Sequence, residues 1–150
     1  MEPDMHKSAV FTSDAEIASI AHRLLDLTLP RSEWTHAAHF AVACWMLRER
    51  PLIDVSCEMP RLIRAYNSAT GVANTTSSGF HETITQASIR AARDFLDRNP
   101  SRPLVVTCNA LLTSSLGRPD WLLVYWTRQK LFSSEARIRW CEPDIAKLPF

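Results

Sequence analysis

The chain has 150 residues, 46% of them hydrophobic and 22% charged, with 17 Lys and Arg against 16 Asp and Glu. That length suits one domain able to bury a core without disulfides or a structural metal, and the near-balanced charge argues against holding nucleic acid by bulk electrostatics. Only three glycines occur, Gly71, Gly79 and Gly117, well below the roughly 7% of an average protein, so a glycine-rich phosphate loop of the Rossmann or Walker type has no place to form.

No apolar run approaches the roughly 18 residues of a membrane span. Residues 1–7 are polar and acidic, without the apolar stretch of a signal peptide. Cys44, Cys57, Cys108 and Cys141 are far apart and form no CxxC pair. Neither a disulfide framework nor a cysteine zinc site is expected of them, and the expected setting is a reducing, cytoplasmic one.

Residues 1–12 are expected to form a flexible tail ahead of a single helical domain over 13–150. Ser13-Asp14-Ala15-Glu16 reads as a capping box, and Ile17, Ile20, Ala21, Leu24 and Leu27 follow at helical spacing to about residue 29, before Pro30. Ser32 can cap a second helix whose stripe is Phe40, Ala43 and Leu47, closing near Arg50-Pro51. A third covers about 53–66, with Val55, Met59, Leu62, Ile63 and Tyr66 inward and Pro60 expected to kink or delay it. Residues 67–78 are turn and loop types. A fourth helix runs over about 80–98 with Ile84, Ala87, Ala91 and Phe95 on one face. Pro103 suits the first turn of a fifth helix ending at Gly117 and Pro119, although 104–108 is also the one plausible strand. Asp120 can cap a sixth helix over 121–132, and Ser133 or Ser134 a short seventh to Trp140. The pattern predicts an all-α, up-and-down helical bundle of about five to seven helices.

Three of the five histidines fall in two compact motifs, Glu33-Trp34-Thr35-His36-Ala37-Ala38-His39 and Gly79-Phe80-His81-Glu82-Thr83. His36 and His39 share a helical face. In an up-and-down bundle helices two and four run parallel, so both motifs lie at one end, under the 67–78 loop as a candidate lid. Three readings compete. As a metal centre, His36, His39 and His81 are three ligands for zinc or non-haem iron, with Glu82 a fourth ligand or general base. Against that, helix N-termini favour anions over cations. As a metal-free site, the same groups bind a small anionic molecule or perform acid–base chemistry. In the blandest case they only cap and pack.

Trp121, Tyr125, Trp126, Phe132 and Trp140 crowd the last thirty residues among Arg128, Lys130, Arg137 and Arg139. The charge halves differ little, with 7 basic and 9 acidic residues in 1–75 against 10 and 7 in 76–150. No dedicated basic footprint for nucleic acid is present. The aromatics fit a core or pocket better, with Trp34, Tyr125 and Arg128 as candidate ligand-binding residues. An exposed aromatic patch for protein interaction is a further alternative. No Gly-x-Ser-x-Gly elbow supports nucleophilic catalysis.

Taken together, Glu33-Trp34-Thr35-His36-x-x-His39, then 78–85 (Ser-Gly-Phe-His-Glu-Thr-Ile-Thr), then Tyr125-Trp126-x-x-x-x-Leu131-Phe132-Ser133 with Ala136-Arg137-x-x-Trp140-x-x-Pro143-Asp144, resemble the signature of a group of small bacterial proteins. The resemblance spans about residues 30–148. It implies a bacterial cytosolic protein with a shared site joining the histidines to the C-terminal aromatics, and it supplies no activity. Phe80 stands where tyrosine is expected in many relatives. The leading expectation is a metal-dependent enzyme or metal-binding protein acting on a small molecule, as monomer or homodimer, with no nucleic acid and no membrane as partner. The alternatives are a metal-free small-molecule site and the interaction module.

Overall fold

A computed structural model describes residues 10–150, and these carry seven α-helices joined by loops and three 3₁₀ turns, with no strand among the described residues. The helices are α1 (Asp14–Leu25), α2 (His36–Glu49), α3 (Val55–Ala69), α4 (Glu82–Asp97), α5 (Leu104–Thr113), α6 (Arg128–Leu131) and α7 (Ser134–Ile138). The all-α bundle class is what the periodicity predicts. Residues 1–9, expected to belong to a flexible tail, lie outside the described residues. Phe11 is buried and exchanges hydrogen bonds with the Asn109 side chain of α5 at 3.0 and 2.9 Å, so the packed chain begins before the expected boundary at residue 13. No helix among the described residues is long and apolar enough to cross a membrane.

The hub is α2, which packs against α1, α3, α4 and α5. Its residues Phe40–Met46 are all buried, so it is apolar all round rather than along the single stripe of Phe40, Ala43 and Leu47. A helix of that kind belongs at the centre of a fold. The amphipathic α1, α3 and α4 enclose it, each presenting its apolar face inward.

Helix ends account for most departures from expectation. α1 stops at Leu25 because Thr28 and Leu27 donate back to the carbonyls of Arg23 and Leu24 at 2.8 and 3.0 Å, a Schellman motif with Leu27 at φ 61°. A side chain in that left-handed region is strained. The equivalent stop after α3 uses Gly71 at φ 83°, with Val72 donating to Asn67 at 2.8 Å. Pro60 does not delay α3, which already begins at Val55. It lies inside the helix, and the Ser56 carbonyl that it cannot bond accepts the Gln86 amide of α4 at 2.8 Å instead. Residues 104–108, the one plausible strand, are helical, and the Asp14 carboxylate of α1 accepts the Val105 N–H at 2.7 Å where Pro103 offers no cap.

The expected sixth helix over 121–132 is broken in two. A 3₁₀ turn, Trp121–Val124, gives way to a non-helical Tyr125–Thr127 link, and Thr127 caps the single-turn α6 by accepting the Lys130 N–H at 3.2 Å. The break lets Trp126, wholly buried, donate its indole N–H to the Cys141 carbonyl at 3.0 Å.

Candidate functional site

A cavity of about 430 Å³ lies between the N-terminal halves of α2 and α4 and the segment 119–132. α2 contributes His36, His39 and Phe40, α4 contributes Ile84 and Ser88, and the C-terminal segment contributes Trp121, Leu122, Arg128, Leu131 and Phe132. The two helix starts therefore do meet at one end, as the topology requires. The lid does not follow. No residue of 67–78 lines the cavity, because Asn74 ties that loop back to the Arg64 carbonyl, Asn67 and the Phe80 N–H at 3.0–3.1 Å. Gly79, at φ 78°, permits this fold-back, since a Cβ there would collide with Ala73 and Asn74.

The first motif builds the cavity's polar wall. Thr35 caps α2, its hydroxyl accepting the Ala38 N–H at 3.1 Å. Its carbonyl lies 2.8 Å from His39 Nδ1, and the Leu116 carbonyl lies 2.9 Å from His36 Nε2. A carbonyl only accepts, so each of those nitrogens carries a hydrogen. In the neutral rings that leaves His39 Nε2 and His36 Nδ1 as lone-pair acceptors. Neither has a protein partner among the described residues, and neither is sealed in, since the Thr107 hydroxyl is the one buried, unpartnered side-chain polar atom there. Trp34 stacks on His39 with centroids 3.7 Å apart, and Phe40 meets His36 edge-on at 5.3 Å, which holds both rings. Burial lowers the pKa of His39 to about 4, with the nearby Arg31 charge adding to it against the opposing Thr35 carbonyl.

The second motif does something else. His81 is the N-cap of α4, its Nδ1 accepting the Ile84 N–H at 3.2 Å while Nε2–H donates to the Leu131 carbonyl at 2.7 Å. Both ring nitrogens are committed, and burial shifts its pKa downward. The Thr83 hydroxyl donates to the Arg139 carbonyl at 2.9 Å and accepts the Cys141 N–H at 3.1 Å, and Arg137 returns a bond to the Gly79 carbonyl at 2.8 Å. Residues 79–83 are thus a clasp for the C-terminal segment, and His81 supports Leu131 from behind the cavity wall.

The other predicted site residues divide accordingly. Arg128 lines the cavity and has no ion-pair partner among the described residues. Asp120 also lines it but is paired with Arg118 at 3.3 Å. Trp34 acts through His39 rather than at the cavity surface. Glu82 accepts from Gln86 at 3.2 Å, and Tyr125 borders neighbouring clefts beside Phe150, so neither lines the cavity. The two ring nitrogens of His81 are taken, and among the described residues no group of three His, Cys, Asp or Glu side chains is arranged to hold a metal ion. Of the aromatics offered as an interaction patch, Trp121 and Trp126 are buried.

Sequence reasoning missed Ser88 and Leu122 as cavity residues, and Thr83 and Arg137 as its supports. A larger, open groove of about 530 Å³ between α1, α2 and α3 is lined by Leu25, Trp45, Arg50, Ile53 and Leu62 but by no histidine. Its arginines are engaged, Arg50 over Trp45, Arg64 over Phe80 and Arg61 with Glu58. Comparison with protein families, with curated proteins and with solved structures finds no match for the chain.

Proposed function

We propose that this protein binds a small molecule with an aromatic body and one anionic group in the cavity between α2, α4 and the 119–132 segment. The observation that carries this reading is the cavity's lining: Phe40, Trp121, Leu122, Leu131 and Phe132 supply apolar surface, while Arg128 is the one lining charge left unmatched among the described residues. An apolar pocket at the small end of the ligand-site range, with a few convergent polar groups, is the ordinary form of a small-molecule site. This reading is preferred to the metal one because both ring nitrogens of His81 are engaged by the protein, by Leu131 and Ile84, which leaves it no lone pair for an ion. The resemblance to small bacterial proteins adds a cytoplasmic setting and supports treating the histidines and the C-terminal aromatics as one unit.

Titration with indole-3-carboxylate and its neutral analogue indole-3-carboxamide, followed by amide NMR shifts and calorimetry, tests it. The carboxylate is expected to shift Ile84, Ser88 and Leu122. Arg128→Ala is expected to weaken it by roughly 10–100-fold, the worth of a charged hydrogen bond, with little effect on the carboxamide. Shifts confined to the α1–α3 groove, or equal losses for both compounds, contradict the reading.

A further inference from the structure

The histidines specify more than the presence of a ligand. His36 and His39 stand three residues apart on α2 and both line the cavity. Each has one ring nitrogen fixed as a donor by a backbone carbonyl, Leu116 for His36 and Thr35 for His39. Turning either ring to offer its N–H to the cavity would forfeit that bond and the stacking that seats it, Trp34 on His39 and Phe40 against His36. With both rings neutral, the cavity wall offers two neighbouring acceptors and no imidazole donor. Desolvation keeps His39 uncharged at neutral pH, which preserves its lone pair. Ser88 adds no donor, since its hydroxyl donates to the Ile84 carbonyl at 2.8 Å.

We propose that the ligand of this cavity is an aromatic acid that also carries a ring N–H or O–H, whose hydrogen is accepted by His39 Nε2 or His36 Nδ1 while its anionic group pairs with Arg128. This rests on the small-molecule reading above and narrows its substrate class. A donor-free aromatic acid of the same shape strips water from the two acceptors and returns nothing, and sites built around such a hydrogen bond reject analogues lacking it.

The test pairs indole-3-carboxylate with 1-benzofuran-3-carboxylate, in which a ring oxygen replaces the N–H without added bulk. Both are titrated into the wild-type chain and into His36→Phe and His39→Phe, whose folding is checked by circular dichroism. The indole acid is expected to bind the wild type at least tenfold more tightly, and the difference to fall below threefold in one of the two variants. If a variant does not fold, the wild-type pair decides alone. Equal affinity of the two acids at the cavity, or a preference that persists in both folded variants, overturns the inference and leaves the small-molecule reading standing. No binding of either acid at the cavity overturns both.

Discussion

The two walls of the cavity are held by different physics. The α2 wall is a long, backbone-bonded helix, apolar on every side over Phe40–Met46 and gripped by four neighbours. The opposite wall, 119–132, is a chain of short turns with little regular structure of its own. It is kept in place by side chains reaching distant backbone groups, His81 to Leu131 and Trp126 to Cys141, while Thr83 to Arg139 and Cys141 and Arg137 to Gly79 hold the segment that follows it. Similar histidine motifs thus serve opposite ends. In the first, the rings are anchored so that one nitrogen of each is left without a partner among the described residues, and in the second both nitrogens of the ring are spent on architecture.

If the walls differ in this way, they should fail separately. Trp126→Ala is expected to have the largest effect, about 3–5 kcal/mol in urea unfolding, because it empties a fully buried site and frees the Cys141 carbonyl. Hydrogen exchange should then lose protection first over 126–141 while α2 stays protected. Simultaneous loss in both regions would merge the walls into one unit.

Acid reads the α2 wall. The unfolded His39 takes its proton near pH 6.5 and the folded one near 4, so between these values the unfolded chain binds more protons. Stability is full above pH 6.5 and falls as pH drops toward 4, by on the order of 2 kcal/mol after allowing for the partly exposed ring. His81, also shifted down by burial, acts in the same direction. Urea unfolding at pH 7 and 4.5 should show the loss, and His39→Phe should flatten it in proportion. An unchanged slope in that variant would remove His39 from the buried wall.

Thr83→Val keeps the shape of a wholly buried side chain and deletes both its bonds. It should cost about 1–3 kcal/mol and loosen 139–141 in hydrogen exchange without altering α2. Smallest is a change remote from both walls. Leu27→Gly relieves a leucine held at φ 61° and should raise stability by about 0.5–1 kcal/mol, net of glycine's entropy, leaving ligand affinity untouched.

The sequence revealed what depends on local chemistry. The Ser13 cap, the shared face of His36 and His39 and the apolar faces of α1, α3 and α4 all follow from neighbours within a few residues, whereas α1 stops at Leu25, ahead of the expected stop at Pro30. Glu16 fits the capping box only loosely, reaching the Thr12 N–H at 2.7 Å rather than that of Ser13. What escaped depends on partners far along the chain. α2 looked amphipathic because periodicity does not show how many helices will surround it. The 121–132 helix was broken by the pull of Trp126 on Cys141, fifteen residues on. His81 looked like a ligand because the carbonyl that claims its second nitrogen belongs to Leu131, fifty residues away. Arg128, expected to line an aromatic pocket, does line the cavity, beside His36 and His39.

The central claim is that a small aromatic acid sits between these two walls. It is met most directly by intermolecular NOEs from the ring protons of indole-3-carboxylate to a methyl-labelled sample of the full chain. Contacts to the methyl groups of Ile84, Leu122 and Leu131 are the predicted result. Contacts to Leu25, Ile53 and Leu62 in the outer groove, or none at saturating ligand, would contradict it.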